Sequence, residues 1–97
     1  MGQIIKTNGE VIEVSPKNGT DFQLDELKEV VKGWVEVLYL CKPNEDATKK
    51  QIMCVNEDGK LKHLDKNSRA TILFIESTGI DDFIVGDVLV CDYNEVQ

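Results

Sequence analysis

A chain of 97 residues has room for one hydrophobic core, so a single domain spanning 1–97 is expected. Hydrophobic residues at 41% and charged residues at 30% set aside the disordered, collagen-like and coiled-coil classes. The formal charge of −7 is uneven: all 11 basic residues lie at or before Arg69, opposed there by 12 acidic ones, whereas residues 70–97 hold Glu76, Asp81, Asp82, Asp87, Asp92 and Glu95 with no Lys or Arg.

Gln3–Lys6 and Val11–Val14 are β-prone runs separated by Thr7-Asn8-Gly9-Glu10. Asn-Gly tolerates positive φ at both central turn positions, so a hairpin is predicted. Ser15–Gly19 reads as a loop; its Asn18-Gly19-Thr20 sequon has no secretory signal beside it. From Leu24 the apolar spacing turns helical, with Leu27, Val30, Val31 and Trp34 on one stripe, which predicts a helix over roughly 22–32. Thr20 and Gln23 have the spacing of a capping box, Asp25 and Glu26 suit a start at Leu24, and Gly33 is the expected left-handed terminator.

Trp34–Cys41 is β-branched and aromatic and largely apolar on both faces, so it is predicted as the central strand, with the helix packed across it. Lys42–Lys50 is a polar loop containing Pro43. Gln51–Val55 and Lys60–Leu64 are predicted as a second hairpin around Asn56-Glu57-Asp58-Gly59. Thr71–Ile75 fits either a strand or a helical turn capped at Asn67. Ile84–Cys91 is a buried strand broken at Gly86-Asp87. Six or seven strands with one main helix on one face make a small α+β domain, its mixed, mostly antiparallel sheet curled or partly closed into a barrel.

Cys41, Cys54 and Cys91 are odd in number and widely spaced, two of them inside apolar runs, so free buried thiols are expected in place of a disulfide scaffold. A zinc site needs ligands paired at short spacing, and His63 is the only histidine; no metal or cofactor is expected. Cys54–Asp65 superficially resembles a calcium loop but has Cys and Asp where the first and last ligands belong. Neither the region before the first helix nor any other apolar run has the pattern of a secretory signal or a bilayer span. A soluble, cytoplasmic protein without membrane association is therefore expected.

Lys60, Lys62, His63, Lys66 and Arg69 form the main basic concentration. It reads either as an anion site, with Lys60, His63, Asn67 and Arg69 as the residues presented, or as lysines that discourage edge-to-edge pairing. Glu36 and Asp87 lie in strands expected to be buried, where a carboxylate needs a partner or a cleft. Together with His63 they are the candidates for acid–base chemistry, provided that they converge. The acidic stretch from 76 to 95 either serves solubility or, if its carboxylates share one surface, imitates nucleic acid. Direct nucleic-acid binding is disfavoured by the sign of the charge.

Leu27–Leu38 (LKEVVKGWVEVL), Val55–Leu64 (VNEDGKLKHL), Asn67-x-x-Ala70-Thr71 and Ile84-x-Gly86-Asp87-Val88-Leu89-Val90 together resemble the family catalogued as domain of unknown function 3846. That family often has a second glycine where this chain has Lys32, and a proline just before the asparagine matched by Asn67, where this chain has Asp65-Lys66. The resemblance implies a small accessory protein of phages, plasmids or conjugative elements, with no catalytic residues to carry over. The expected function is stoichiometric binding of a host protein or a small anionic ligand. The alternatives are an acidic DNA mimic and an enzyme using Glu36, Asp87 or His63.

Overall fold

The computed structural model describes residues 2–96. Its five strands, β1 (Gly2–Ile5), β2 (Val11–Val14), β3 (Val35–Leu40), β4 (Gln51–Asn56) and β5 (Val88–Asp92), form one open antiparallel sheet in the order β2-β1-β5-β4-β3. Helix α1 (Leu24–Val31) covers one face and helix α2 (Ser68–Thr78) the other. The α+β class is as expected, but the described sheet is wholly antiparallel and unclosed, and a second helix makes it a three-layer structure.

The strands alternate between two cores. Ile52, Cys54, Leu89 and Cys91 point toward α1 and pack with Phe22 and Leu27. Met53, Val55, Val88 and Val90 point toward α2 and pack with Ala70 and Phe74. β4 and β5 are therefore apolar at nearly every position, as strands covered on both sides must be. β3 is equally two-faced, with Val35 and Val37 on the α1 side and Leu38 and Leu40 on the α2 side. Yet it lies at the margin of the sheet, paired to β4 alone, which corrects the prediction of a central strand. The physical reason is that apolarity on both faces reports the layers above and below a strand, not its neighbours within the sheet. Trp34, predicted to be covered, is 59% exposed, with the Lys28 ammonium 4.0 Å from its ring centroid.

The first hairpin forms as predicted, with Ile5 opposite Val11, but only Gly9 has positive φ, at 91°. The loop is closed by Lys6 N–H to the Glu10 carbonyl at 2.8 Å and by Gly9 N–H to the Lys6 carbonyl at 2.9 Å. α1 starts one turn later than a Thr20 cap requires. Gln23 is the N-cap, and Glu26 completes the box by accepting from Gln23 N–H at 2.8 Å. At its other end the left-handed residue is Lys32, with φ 62°, not Gly33. Gly33 is needed for close approach instead, because a Cβ there would stand 2.6 Å from the Asn56 amide nitrogen.

The second predicted hairpin is absent. Lys60–Leu64 winds through successive turns, with Lys62 N–H on the Asp58 carbonyl and Leu64 N–H on the Gly59 carbonyl. β5 occupies the side of β4 where a return strand would have docked, Ile52 facing Cys91 and Cys54 facing Leu89. The open alternative at 67–75 falls to the helix: Asn67 caps α2, and Gly79, with φ 75°, ends it. The break expected at Gly86-Asp87 is present, since Gly86 has φ 76° and β5 begins only at Val88.

Candidate functional site

The residues singled out from the sequence do not converge. Lys60 is exposed and committed to Asp82, Nζ to Oδ1 2.7 Å, while also lying 4.4 Å from the Phe83 ring centroid. The bond from Lys60, then that from the Phe83 amide, holds the Asp82 carboxyl below its usual range. His63 is exposed, at a left-handed φ of 54°, and Arg69 is exposed on the first turn of α2. Asn67 has no exposed surface. Its Nδ2 donates to the Ile5 and Gly86 carbonyls, both at 2.9 Å, and its Oδ1 accepts from Ala70 N–H at 3.1 Å. That leaves the Asn67 amide engaged wholly within the fold.

Glu36 and Asp87 fall on opposite faces of the sheet. Glu36 lies beside Leu38 and Phe74 on the α2 side, and Asp87 beside Phe22 and Leu89 on the α1 side. The C-terminal carboxylates are likewise dispersed. Asp82 is paired with Lys60, Glu95 is buried, and Glu76 and Asp92 share a hollow with Lys42, Lys49 and Lys50. Among the described residues no group of three His, Cys, Asp or Glu is placed to hold a metal ion, and no helix is long and apolar enough to cross a membrane.

What the structure does bring together is the outer margin of β3. The Trp34 carbonyl accepts from Glu57 N–H at 2.8 Å, and the register pairs Glu36 with Val55, Leu38 with Met53 and Leu40 with Gln51. In an antiparallel ladder this turns the backbone groups of Glu36, Leu38 and Leu40 toward β4 and those of Val35, Val37 and Tyr39 outward. No described strand receives them. The margin has six regularly paired residues without proline, glycine, lysine or bulge, and Glu36 is the one charged side chain that guards it.

Hollows open on both faces beside this margin. On the α1 side, one of about 460 Å³ is walled by Val37, Tyr39, Ile52, Tyr93 and Val96. On the α2 side, one of about 260 Å³ is walled by Glu36, Leu38, Leu61, Phe74 and Phe83. Leu61 is 81% exposed, Phe83 and Tyr39 are also exposed, and the Glu36 side chain makes no hydrogen bond or ion pair among the described residues. The signal for this site was present in the chain as the lysine-free run Val35–Cys41. Lys60 and Lys62, read as edge protection, instead lie on a turn segment, and neither marginal strand, β2 or β3, carries a lysine.

The geometry defines a small open-sheet α+β domain with helices on both faces and two free margins, of which β3 is the longer. The chain belongs to the family described as Domain of unknown function (DUF3846), whose model matches residues 4–96. No match was found among curated proteins or among solved structures.

Proposed function

We propose that this protein works by stoichiometric contact with a partner protein, which adds an extended segment to the outer side of β3. The observation that supports this reading is the coincidence of outward backbone groups at Val35, Val37 and Tyr39 with hollows on both faces of the same strand, the α1-side one largely apolar and the α2-side one mixed, with Leu38, Phe74 and Phe83 beside Glu36 and the Lys60–Asp82 pair. Strand addition takes its affinity from main-chain hydrogen bonds and its selectivity from pockets for alternate side chains, and both elements are in place here. The segment that fits has apolar residues at alternate positions and a Lys or Arg opposite the unpaired Glu36 carboxylate.

A contact role agrees with the dispersal of Glu36, Asp87 and His63, which gives acid–base catalysis no shared pocket. It also agrees with the interleaving of lysines among the C-terminal carboxylates, which a nucleic-acid mimic would not have. An accessory protein of a phage or mobile element, acting on a cytoplasmic host protein, is the setting in which such contact makes sense. The anion reading of Lys60, His63, Asn67 and Arg69 has less support, because Lys60 is already neutralised by Asp82 and Asn67 is enclosed.

The test is capture of a partner from lysate of the source organism by wild-type protein and by Val37→Pro, which removes an outward N–H. Loss of the captured protein with the variant supports the reading, and equal capture by both contradicts it.

A further inference from the structure

At the other end of the strand order, between α1 and the β1–β2 hairpin, the sheet carries a cleft of about 420 Å³ that is separate from the margin of β3 and independent of the function proposed for it. Neither Lys60, His63, Asn67 nor Arg69 lines it.

Its floor is apolar, formed by Ile4, Val14, Phe22, Val30 and Leu89. Phe22 and Leu89 are buried and the other three half-buried. Around the opening stand Lys6, Lys17 and Lys32 with Glu26, Glu29 and Asp87. Backbone donors fix two of the acids in place without removing their charge. Glu26 accepts from the backbone of Lys17 at 3.0 Å and of Gln23 at 2.8 Å, and Asp87 accepts from Thr7 N–H at 3.0 Å. None of the three ammonium groups makes an ion pair or hydrogen bond among the described residues. Lys32 takes its place at the rim as the left-handed C-cap of α1, with φ 62°.

We propose that this cleft binds a free amphiphilic carboxylate, its hydrocarbon chain on the Ile4–Phe22–Leu89 floor and its head group among Lys6, Lys17 and Lys32. The volume lies within the range of roughly 300–1,000 Å³ found for small-molecule sites, and an apolar lining with a few placed charges is their usual construction. Cations at the mouth select the anionic head, and the floor selects an alkyl body over a bare anion.

The experiment is a proton–nitrogen NMR titration of the full chain with decanoate below its micelle concentration, run beside decanol and inorganic phosphate. The expected result is that decanoate shifts the amides of Ile4, Val14, Val30 and Leu89, and binds about tenfold or more tightly than either comparison compound, the equivalent of about one well-placed ion pair. The triple variant Lys6→Gln, Lys17→Gln, Lys32→Gln should lose that advantage over decanol while its spectrum away from the cleft stays unchanged. No shift in the cleft at millimolar decanoate, or decanol or phosphate binding as well as decanoate, would overturn the proposal. So would a triple variant that binds decanoate as the wild type does.

Discussion

Asn67 donates its amide nitrogen to the carbonyl of Ile5 at 2.9 Å, and so ties the start of α2 to the end of β1, sixty-two positions away along the chain. The same nitrogen reaches Gly86, and the oxygen caps Ala70, so a single buried side chain joins one helix, the end of β1 and the bend that precedes β5. Asn67→Ala leaves these backbone groups without a partner, and a loss of about 3 kcal/mol is expected. Asn67→Asp turns an acceptor toward two carbonyls and should cost more. Urea denaturation of the two variants checks both the size and the order.

The exit of α1 predicts opposite effects at neighbouring positions. Lys32→Gly relieves a left-handed φ of 62° and should stabilise the fold by about 1 kcal/mol. Gly33→Ala places a methyl 2.6 Å from the Asn56 amide nitrogen, which itself donates to the Val31 carbonyl at 3.0 Å. The resulting shift should cost about 2 kcal/mol. Thermal unfolding of both variants checks the pair, and the same Lys32→Gly protein should bind decanoate more weakly.

Burial pushes the Cys54 thiol up to about 11, and burial, with the neighbouring Cys54 second, pushes Cys91 up to about 12, from an ordinary value of 9.0. Below pH 9 both thiols are protonated in the folded and unfolded chains alike. Between 9 and 11 the unfolded chain ionises them while the folded chain does not, so the folded state holds more protons and stability falls as pH rises. At pH 10 the two thiols together should remove about 3 kcal/mol. Urea midpoints in reductant from pH 7 to 10 measure the slope. The Cys54→Ala, Cys91→Ala double variant, although less stable at pH 7, should show a flatter one.

Part of the local chemistry was readable. Gly9 marks a left-handed position, Gly86 breaks a strand and Val11–Val14 alternates, while the cap at Asn67 was one of two open readings and the left-handed residue fell at Lys32 in place of Gly33. What escaped depends on partners remote in the sequence. Lys60–Leu64 has the alternation of a strand, but β5 already holds the edge it would use. Trp34 continues the apolar stripe of α1, yet the helix ends at Val31 and Lys28 shields the exposed ring. Val35–Leu40 has two apolar faces because helices lie on both, and nothing in its composition records that only one side of it is paired. The cleft between α1 and the first hairpin gathers Lys6, Lys17 and Lys32 from three segments, each unremarkable in its own stretch.

The orientation of β3 can be checked without any partner. Val37→Pro removes an N–H that faces outward and should cost about 1 kcal/mol, whereas Leu38→Pro removes one directed at β4 and should cost about 3 kcal/mol or more. A larger loss at Val37 than at Leu38 would place the hydrogen-bonding pattern one residue out. Equilibrium unfolding of the two proteins under identical conditions makes the comparison.

The most direct test of the β3 contact is amide hydrogen exchange on the protein alone and with its captured partner. In the isolated protein, Val35, Val37 and Tyr39 should exchange quickly while Glu36, Leu38 and Leu40 are protected by β4; in the complex the first three should become protected as well. Protection that appears elsewhere, with Val35, Val37 and Tyr39 exchanging as fast in the complex as without it, would contradict strand addition at this margin.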